Sequence, residues 1–341
     1  MSHSVFTRSP ARALVAFCAL TLGAACGSNS ADNNAGFGGS GAGSPGTSPI
    51  PDPITGLPGE DAGSGSVPGD TPDPATFTKT DLGGYKLGAA ISGGTNGSVG
   101  GISGPNAAQG CSAMLGVVRD FKGLDKGGHP DFEAYSGSKP TRGLVAAALG
   151  DDRKPVYAST CERNPDRAAC PYGQQTTSRA DFDAWYRQVD GTNQAYVVYF
   201  MLAPQGAIYT FESKLFFPLD AAPAETSGIG QDKKPHNFGF TTELHTAFKY
   251  NGGEKFSFTG DDDLWVFING KLAIDLGGLH PSASGSVDLD EAATRLGLSK
   301  GSTYPLELFH AERHTTASNF RIDTTLAFVD CGTLPPDVVV N

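Results

Sequence analysis

Charged, basic and sulfur-containing residues are scarce in this 341-residue chain, and each shortage excludes a class of protein. Charged residues make up only 18% of it, and 25 Lys and Arg stand against 36 Asp and Glu, which gives a formal net charge of -11. Such a charge is unsuited to a nucleic-acid groove or to a basic patch on a membrane surface, so we expect no nucleic-acid partner. Six cysteines are too few for a disulfide-rich miniature scaffold.

Glycine and proline, in contrast, are abundant. The 46 Gly and 23 Pro together occupy about a fifth of the chain, against roughly 12% in average proteins. This composition argues against a mostly helical protein. Where these residues concentrate decides whether they indicate a linker or a turn-rich domain.

The N-terminus has the pattern of an export signal. Arg8 and Arg12 precede an apolar run over residues 13–22, which is too short to span a bilayer and is followed by small residues. This pattern predicts a secretory signal peptide over residues 1–25. The stretch that ends at Cys26 resembles a bacterial lipoprotein signal, in which that cysteine is lipidated after cleavage. We therefore expect an exported protein that is lipid-anchored through Cys26 at the cell surface or outer membrane, with plain secretion as the alternative.

The segment that follows has the composition of a tether. Between residues 27 and 76 there are 12 Gly, 8 Pro and six acidic residues, with no Lys or Arg. Such a segment buries too little apolar surface to offset its chain entropy. We therefore predict a disordered, lipid-anchored tether over residues 26–76 with a reach of about 40 Å, and no other contact with a membrane.

The rest of the chain shows the period-two alternation of β-strands. In residues 320–328 the apolar side chains alternate with Arg321, Asp323 and Thr325, as in a half-buried strand. Residues 264–268 are apolar throughout, and Asn269-Gly270 separates them from residues 271–276, a strong hairpin signal. The fold class predicted is mainly β, an antiparallel β-sandwich with short helical insertions. Further strands are expected at 115–121, 196–202, 207–211, 237–244, 246–250 and 304–310, and helices at 143–149, 181–188 and 290–296.

Four cysteines remain after export and lipidation, an even number in an oxidising compartment. Three pairings are possible, and we favour Cys161–Cys170 across a short polar excursion and Cys111–Cys331 between the two ends of the domain. A metal site is the alternative, but the sequence contains no C-x-x-C motif and no histidine near these cysteines.

Three consecutive aspartates, Asp261, Asp262 and Asp263, separate two hydrophobic strands. If all three stay ionised at close range, their repulsion costs stability unless a cation neutralises it. Calcium prefers six to eight oxygen ligands, yet neighbouring side chains of a regular strand point to opposite faces. Two adjacent aspartates can therefore bind one ion only through an irregular backbone. A solvated acidic turn is the alternative interpretation.

These aspartates belong to a longer pattern that resembles a fibro-slime domain. The resemblance extends over residues 111–331, between a Gly-rich segment 77–110 and a C-terminal tail 332–341. Fibro-slime domains are similar to the protective-antigen-type lectins, so the resemblance implies a lectin-like β-sandwich. The motifs that carry it lie at residues 118–121, 129–132, 216–220, 236–245, 260–280 and 309–320.

The resemblance also implies a calcium site. In the calcium-dependent lectins of this superfamily, two adjacent aspartates joined by a cis peptide hold the ion, which coordinates sugar hydroxyls. The spacing to Asn269 places this pair on Asp261 and Asp262, or on Asp262 and Asp263. The loop 314–319 implies Asn319 as the third calcium ligand. The ligand-binding set that we predict is Asp261, Asp262, Asp263, Arg313, His314 and Asn319.

Two other constellations have simpler interpretations. Residues 310–314, His-Ala-Glu-Arg-His, suggest zinc, but in an extended segment the two histidines lie about 13 Å apart, too far for one metal ion. We favour a polar loop in which Glu312 and Arg313 form an ion pair. Glycoside hydrolysis needs two carboxyl groups roughly 5–10 Å apart, but a bound ion explains an aspartate triplet more simply, so we predict no enzyme.

The sequence thus leads to two main hypotheses. The first is a surface-tethered, calcium-dependent carbohydrate-binding and adhesion module whose partner is a cell-surface or matrix polysaccharide. The second is a structural component of an extracellular matrix or slime in which calcium is purely structural. Both need the aspartate triplet, so the sequence alone does not separate them.

Overall fold

Two antiparallel sheets carry most of the chain. The computed structural model describes residues 73–92, 111, 113–159, 174–222, 227–335 and 339–340. The strands are, in chain order, β1 (Thr78–Lys79), β2 (Gly84–Ser92), β3 (Met114–Phe121), β4 (Asn193–Met201), β5 (Ala203–Gln205), β6 (Ile208–Ser213), β7 (Gly228–Ile229), β8 (Pro235–His236), β9 (Phe240–Lys249), β10 (Lys255–Gly260), β11 (Asp263–Ile268), β12 (Lys271–Leu276), β13 (Ala283–Asp288), β14 (Thr303–Glu312), β15 (Phe320–Thr324), β16 (Ala327–Asp330) and β17 (Val339–Val340).

The larger sheet has ten strands in the order β1-β2-β4-β3-β9-β14-β11-β12, with β16 paired to β9 and β17 to β2. The smaller sheet has five strands in the order β13-β10-β15-β6-β5. Strands β7 and β8 form a separate hairpin. The two α-helices in the described residues are short, α1 (Arg179–Asp183) and α2 (Leu289–Leu296). The predicted antiparallel β-sandwich with short helices is confirmed.

The main core lies between the two sheets. Val118 of β3 and Leu308 of β14 enter it from the larger sheet, and Phe258 and Phe320 enter it from the smaller sheet. Because side chains alternate along a strand, the polar neighbours Arg321 and Asp323 stay on the outer face. For residues 320–324, the predicted alternation therefore identifies correctly which side chains face the core.

A second core covers the outer face of the larger sheet. Trp265 and Phe267 of β11 point into it, whereas Leu264, Val266 and Ile268 point into the main core, which explains why this strand is apolar throughout. Its cover comes from the segment between β3 and β4, with Phe132, Tyr157, Phe182, Trp185 and Tyr186 all buried. These aromatics are core residues, and the cover they form also lies behind the site described below.

Three local predictions are wrong. No helix forms at 143–149, because Ala146 N donates to Val156 O and Ala158 N donates to Leu144 O, so this segment pairs in extended form. Residues 320–328 divide into β15 and β16, which belong to different sheets. Residues 237–244 and 246–250 are not two strands, since β9 runs through both.

The folded region extends beyond 111–331. The Gly-rich segment 77–110 supplies β1 and β2, and the expected tail supplies β17, all within the larger sheet. Pro74–Thr76, at the end of the expected tether, forms a 3-10 turn. The Cys111–Cys331 disulfide is present, as predicted. The expected Cys161–Cys170 pair, the signal peptide, Cys26 and the tether up to residue 72 lie outside the described residues. Among the residues described, no helix combines the length and apolar character needed to cross a membrane.

A buried ion network fastens the cover to the larger sheet. Glu243 of β9 accepts hydrogen bonds from Arg119 of β3, at 2.6 Å, and from Lys154 of the cover. His245 Nε2 lies 2.5 Å from the same carboxylate. Burial alone would raise the pKa of Glu243, but Lys154 and Arg119 hold it well below its usual range. One carboxylate thus compensates buried cations from two parts of the chain.

Replacing Glu243 by Gln removes this charge at nearly constant volume and leaves two buried cations without their carboxylate. We expect the free energy of unfolding to fall by about 3–5 kcal/mol, measured by urea denaturation at pH 7. Glu291→Gln, on the exposed side of α2, is the control and should change it by less than about 1 kcal/mol. Equal effects of the two substitutions would contradict the role of the network.

Candidate cation and ligand site

Three connections between the sheets meet at one end of the sandwich. Asp261 and Asp262 join β10 to β11, residues 277–282 join β12 to β13, and residues 313–319 join β14 to β15. In the larger sheet β11 lies between β14 and β12, and in the smaller sheet β10 lies between β15 and β13. The acidic turn is therefore flanked on both sides by other connections, although they are distant in sequence.

Asp263 is the neutralised member of the triplet. It is fully buried, and its carboxylate accepts hydrogen bonds from Gly278 N at 2.5 Å and from Arg313 Nε at 2.6 Å. Its position at the start of β11 directs it toward the second core, away from its two neighbours.

Arg313 pairs with Asp263 and not with Glu312, so the predicted Glu312–Arg313 ion pair is wrong. The Arg313 side chain is fully buried, lies 4.5 Å from the Trp185 ring and donates to the carbonyl oxygens of Asp131 and Gln175 at 3.0 Å. The reason is the alternation of β14, which turns Glu312 and Arg313 to opposite faces. These contacts make Arg313 a fixed internal cation behind the acidic turn.

Asp261 is held by Asn319 and His310. Its carboxylate accepts from Asn319 N and from Asn319 Nδ2, each at 2.6 Å. Its backbone carbonyl oxygen lies 3.0 Å from His310 Nε2. Burial lowers the pKa of His310 to about 4, so a neutral imidazole donates from Nε2 at pH 7. The structure thus brings the predicted Asn319 to the site as a donor to Asp261.

Asp262 and Glu312 are carboxyl groups with little compensation. Asp262 accepts from Arg313 N at 3.1 Å. Glu312 Oε1 accepts a long hydrogen bond from His314 N at 3.5 Å, and Glu312 Oε2 meets no donor in the described part of the chain. Burial raises the pKa of Asp262 well above its usual range, although Arg313 opposes this shift.

Burial also raises the pKa values of Glu312 and Asp261. Burial raises the pKa of Glu312, and the charges of Asp262 and Asp261 raise it further. Burial also raises the pKa of Asp261, against the opposing hydrogen bonds from Asn319. Three neighbouring carboxyl groups therefore lack a full counter-charge, which is the donor chemistry that a hard divalent cation favours.

A cavity of about 280 Å³ opens over this turn. Asp261 and Asp262 line it together with residues 279–281, the exposed Ser136 and Gly137, and residues 314–317, which we call the rim loop. Of the six predicted ligand-binding residues, Asp261, Asp262 and His314 line the cavity. Asp263, Arg313 and Asn319 lie outside its lining and hold the residues that do. This arrangement favours Asp261 and Asp262 as the aspartate pair.

The backbone differs from the expectation that the family resemblance implied. Within the described ranges, the only cis peptide bond joins Thr315 to Thr316, so the bond between Asp261 and Asp262 is trans. No group of three or more His, Cys, Asp or Glu side chains in these ranges is already arranged to hold a metal ion. An ion at this site would need further oxygens from amides, hydroxyls, backbone carbonyls or water, all of which calcium accepts.

The comparisons with known proteins point to the same part of the chain. Residues 220–339 match the PA14 domain family. This match covers about a third of the chain and includes the acidic turn, Glu312 and the rim loop. Ser136 and Gly137 of the cavity wall lie outside it.

Several proteins of Dictyostelium discoideum are similar over a longer stretch. Protein psiR is 37% identical over 211 residues, which is 59% of this chain and 20% of psiR. Protein psiC is 36% identical over 224 residues, which is 63% of this chain and 42% of psiC. The chain therefore spans about a fifth of the length of psiR and less than half of the length of psiC.

Two solved structures are similar at 13% sequence identity. The Epithelial Adhesin 9 A domain from Candida glabrata, solved in complex with Galβ1-4GlcNAc, aligns over 74% of this chain and 97% of its own, with a TM-score of 0.23. The GH31 α-xylosidase from Xanthomonas citri aligns over 38% of this chain and 14% of its own, with a TM-score of 0.20. At these scores neither similarity carries an argument about the site.

Sequence reasoning missed three contributors to the site. Glu312 was interpreted as the partner of Arg313, although the strand pattern of residues 304–310, continued by two residues, would have turned it inward. His280 and its neighbours line the cavity because β12 and β13 flank the acidic turn. Ser136 and Gly137 come from the cover of the second core, and no local sequence signal indicated them.

The three raised pKa values determine how stability depends on pH. Each acid has a higher pKa in the folded state than in the unfolded state, so the native protein retains protons that the unfolded chain has lost. The contribution of these three acids to the free energy of unfolding therefore falls as pH rises from about 4 through their folded pKa values. Without a cation, Glu312→Gln should raise Tm at pH 7 by about 3 °C or more, and this gain should disappear toward pH 4.

Asp263→Asn is the matched control, because it removes the carboxylate that compensates Arg313. We expect it to lower Tm at pH 7 under the same chelated conditions. Thermal unfolding followed by circular dichroism between pH 4 and 8 measures both variants. If both lower Tm equally, the distinction between compensated and uncompensated carboxyl groups is wrong.

Proposed function

We propose that this protein is an extracellular, calcium-dependent carbohydrate-binding module that serves adhesion. The observation that carries the proposal is the cavity whose floor is formed by Asp261 and Asp262, beside the uncompensated Glu312. A cation at this floor would neutralise the carboxyl groups and remain accessible to a ligand in the cavity. The fibro-slime resemblance and the PA14 match over the same residues support this proposal.

Calcium is the cofactor that the donor set fits best. Asp261, Asp262 and Glu312 supply hard carboxylate oxygens, and Asn319 is the amide that we predicted as a further ligand. A bound calcium ion would coordinate sugar hydroxyls. Hydrogen bonds and an ion pair keep the acidic turn in place. His310 and Asn319 fix Asp261, and Arg313 neutralises Asp263.

The size of the cavity restricts the ligand. Its volume of about 280 Å³ lies just below the roughly 300–1,000 Å³ of pockets for drug-sized molecules. We infer that it takes one sugar ring of a cell-surface or matrix polysaccharide, with the rest of the glycan outside. Exposed Ser136 and Gly137 and the rim loop would contact that ring.

We further propose that the protein is exported and tethered. The Cys111–Cys331 disulfide supports export, because such bonds persist in oxidising compartments. The signal peptide 1–25, lipidation at Cys26 and the tether 26–76 complete this proposal as predictions from the sequence. A structural role in a matrix, with calcium but no sugar, is the second candidate, and the same uncompensated carboxyl groups favour it.

Calcium should raise Tm of the mature protein relative to the chelated form. A free concentration of 100 times Kd corresponds to about 2.7 kcal/mol. Replacing Asp261 and Asp262 together by Ala should abolish this rise, measured by scanning calorimetry. The control removes two exposed acids, Asp151 and Asp190, by the same substitution and should retain the rise. A rise that persists without Asp261 and Asp262 would place the ion elsewhere.

Glycan-array binding with calcium or with a chelator separates the candidate functions. If the protein is an adhesion module, it should bind a glycan in the presence of calcium and release that glycan when calcium is chelated. Binding that survives chelation, or no binding to any glycan, would exclude this function. A calcium-dependent rise in Tm without glycan binding would favour the structural role, and release of free sugar from the array would indicate a glycosidase.

A further inference from the structure

Glu133 has a backbone conformation that its residue type disfavours. Its φ is 55°, in the left-handed region, where a side chain is crowded and glycine is not. Glutamate has no short side chain that could bond its own backbone there, as asparagine or aspartate can. A reason for glutamate at this position must therefore come from what its side chain binds.

Both polar contacts of Glu133 go to the connection that carries the rim loop. Its backbone N donates to Arg313 O at 2.8 Å. Its carboxylate accepts from Thr315 N at 3.0 Å. These two bonds are made by the residues before and after His314, which lines the cavity. Glu133 thus holds the chain on both sides of a cavity residue, although it is 182 positions away from Thr315 in sequence.

The residues that precede Glu133 make it a rigid support. Asp131 is fully buried and accepts from Thr177 N at 2.6 Å and from Trp185 Nε1 at 3.1 Å. Phe132 is fully buried and stacks on Phe121 at 4.4 Å. The second core therefore fixes the position of Glu133, and Glu133 transmits this position to the rim loop.

The opposite side of the rim loop is held by the hairpin of β7 and β8. Gln231 N, in the turn of this hairpin, donates to Thr316 O at 3.1 Å. This bond joins two backbone atoms, so it does not depend on a side chain. Its acceptor belongs to Thr316, the residue that follows Thr315. Loss of the Glu133 carboxylate would therefore deprive Thr315 N of its acceptor while Thr316 remains attached to the hairpin.

We propose that Glu133 is a positioning residue of the cavity: its carboxylate holds the rim loop in the conformation that receives the ligand. The effect on ligand binding rests on the function proposed above, but the effect on the loop does not. The left-handed backbone at Glu133 is tolerated for the sake of this one contact.

The test compares three variants of the full mature protein. Glu133→Gly removes the carboxylate and relieves the backbone, so Tm should stay level or rise. Glu133→Gln keeps an oxygen acceptor and should behave as the wild type. Asn269→Gly is the matched control, because Asn269 also has a positive φ, of 53°, and follows β11 at the end opposite the acidic turn. Its substitution relieves the backbone without removing a contact to the loop.

Two readouts are measured on each variant. Hydrogen exchange of the peptide that contains residues 313–317, without calcium, should be at least tenfold faster in Glu133→Gly and unchanged in Glu133→Gln and Asn269→Gly. Calcium Kd, by titration calorimetry, should be weaker in Glu133→Gly alone, because the connection 313–319 that Glu133 holds also carries Asn319, the amide predicted as a calcium ligand. Removal of a group that orients a metal ligand weakens binding about 10-fold to 100-fold.

Unchanged exchange in Glu133→Gly would overturn the proposal, and so would faster exchange in all three variants. A fall in Tm that parallels the loss of affinity would assign Glu133 a general structural role and contradict the proposal as well. If the wild type binds no calcium while exchange responds as expected, the proposed function fails and the positioning of the loop stands.

Discussion

The site depends on the order of the strands, because strands that follow one another along the chain occupy matching positions in the two sheets. Strands β14, β11 and β12 are adjacent in the larger sheet, and their partners along the chain, β15, β10 and β13, are adjacent in the smaller one. Each chain connection between these pairs crosses the sandwich at the same end. Backbone hydrogen bonding in the sheets therefore brings three loops together, and the cavity is the space between them.

Arg313 makes three adjacent aspartates compatible with burial. It compensates Asp263 directly, and its backbone N binds Asp262. A single buried cation cannot also compensate Asp261 and Glu312, so burial raises the pKa values of both. The fold thus neutralises the part of the acidic turn that faces the second core and leaves Asp261 and Asp262, which line the cavity, without a full counter-charge. The same division explains why Asp263, Arg313 and Asn319 lie behind the cavity.

Some features of the site followed from local sequence, and others did not. The position of the acidic turn and the hairpin at Asn269-Gly270 could be inferred from local sequence, whereas the loop 314–319 was implied by the family resemblance. The partner of Arg313 could not, because it depends on which face of β14 each side chain takes. Ser136, Gly137 and Glu133 reach the site through the packing of an aromatic cover, to which no short motif corresponds.

Sequence alone determined the class of the protein, because alternating apolar residues and frequent Gly and Pro are compatible with short antiparallel strands and with little else. It also favoured the Cys111–Cys331 pairing among three possibilities, and the structure contains this disulfide. Only the tertiary structure decided which strands share a sheet, why residues 143–149 are extended and which carboxyl groups lack a counter-charge. Those outcomes depend on contacts between residues that are not neighbours in sequence, such as Ala146 with Val156 and Asp263 with Arg313. Burial, which raises the pKa of Glu312, exists only after such contacts form.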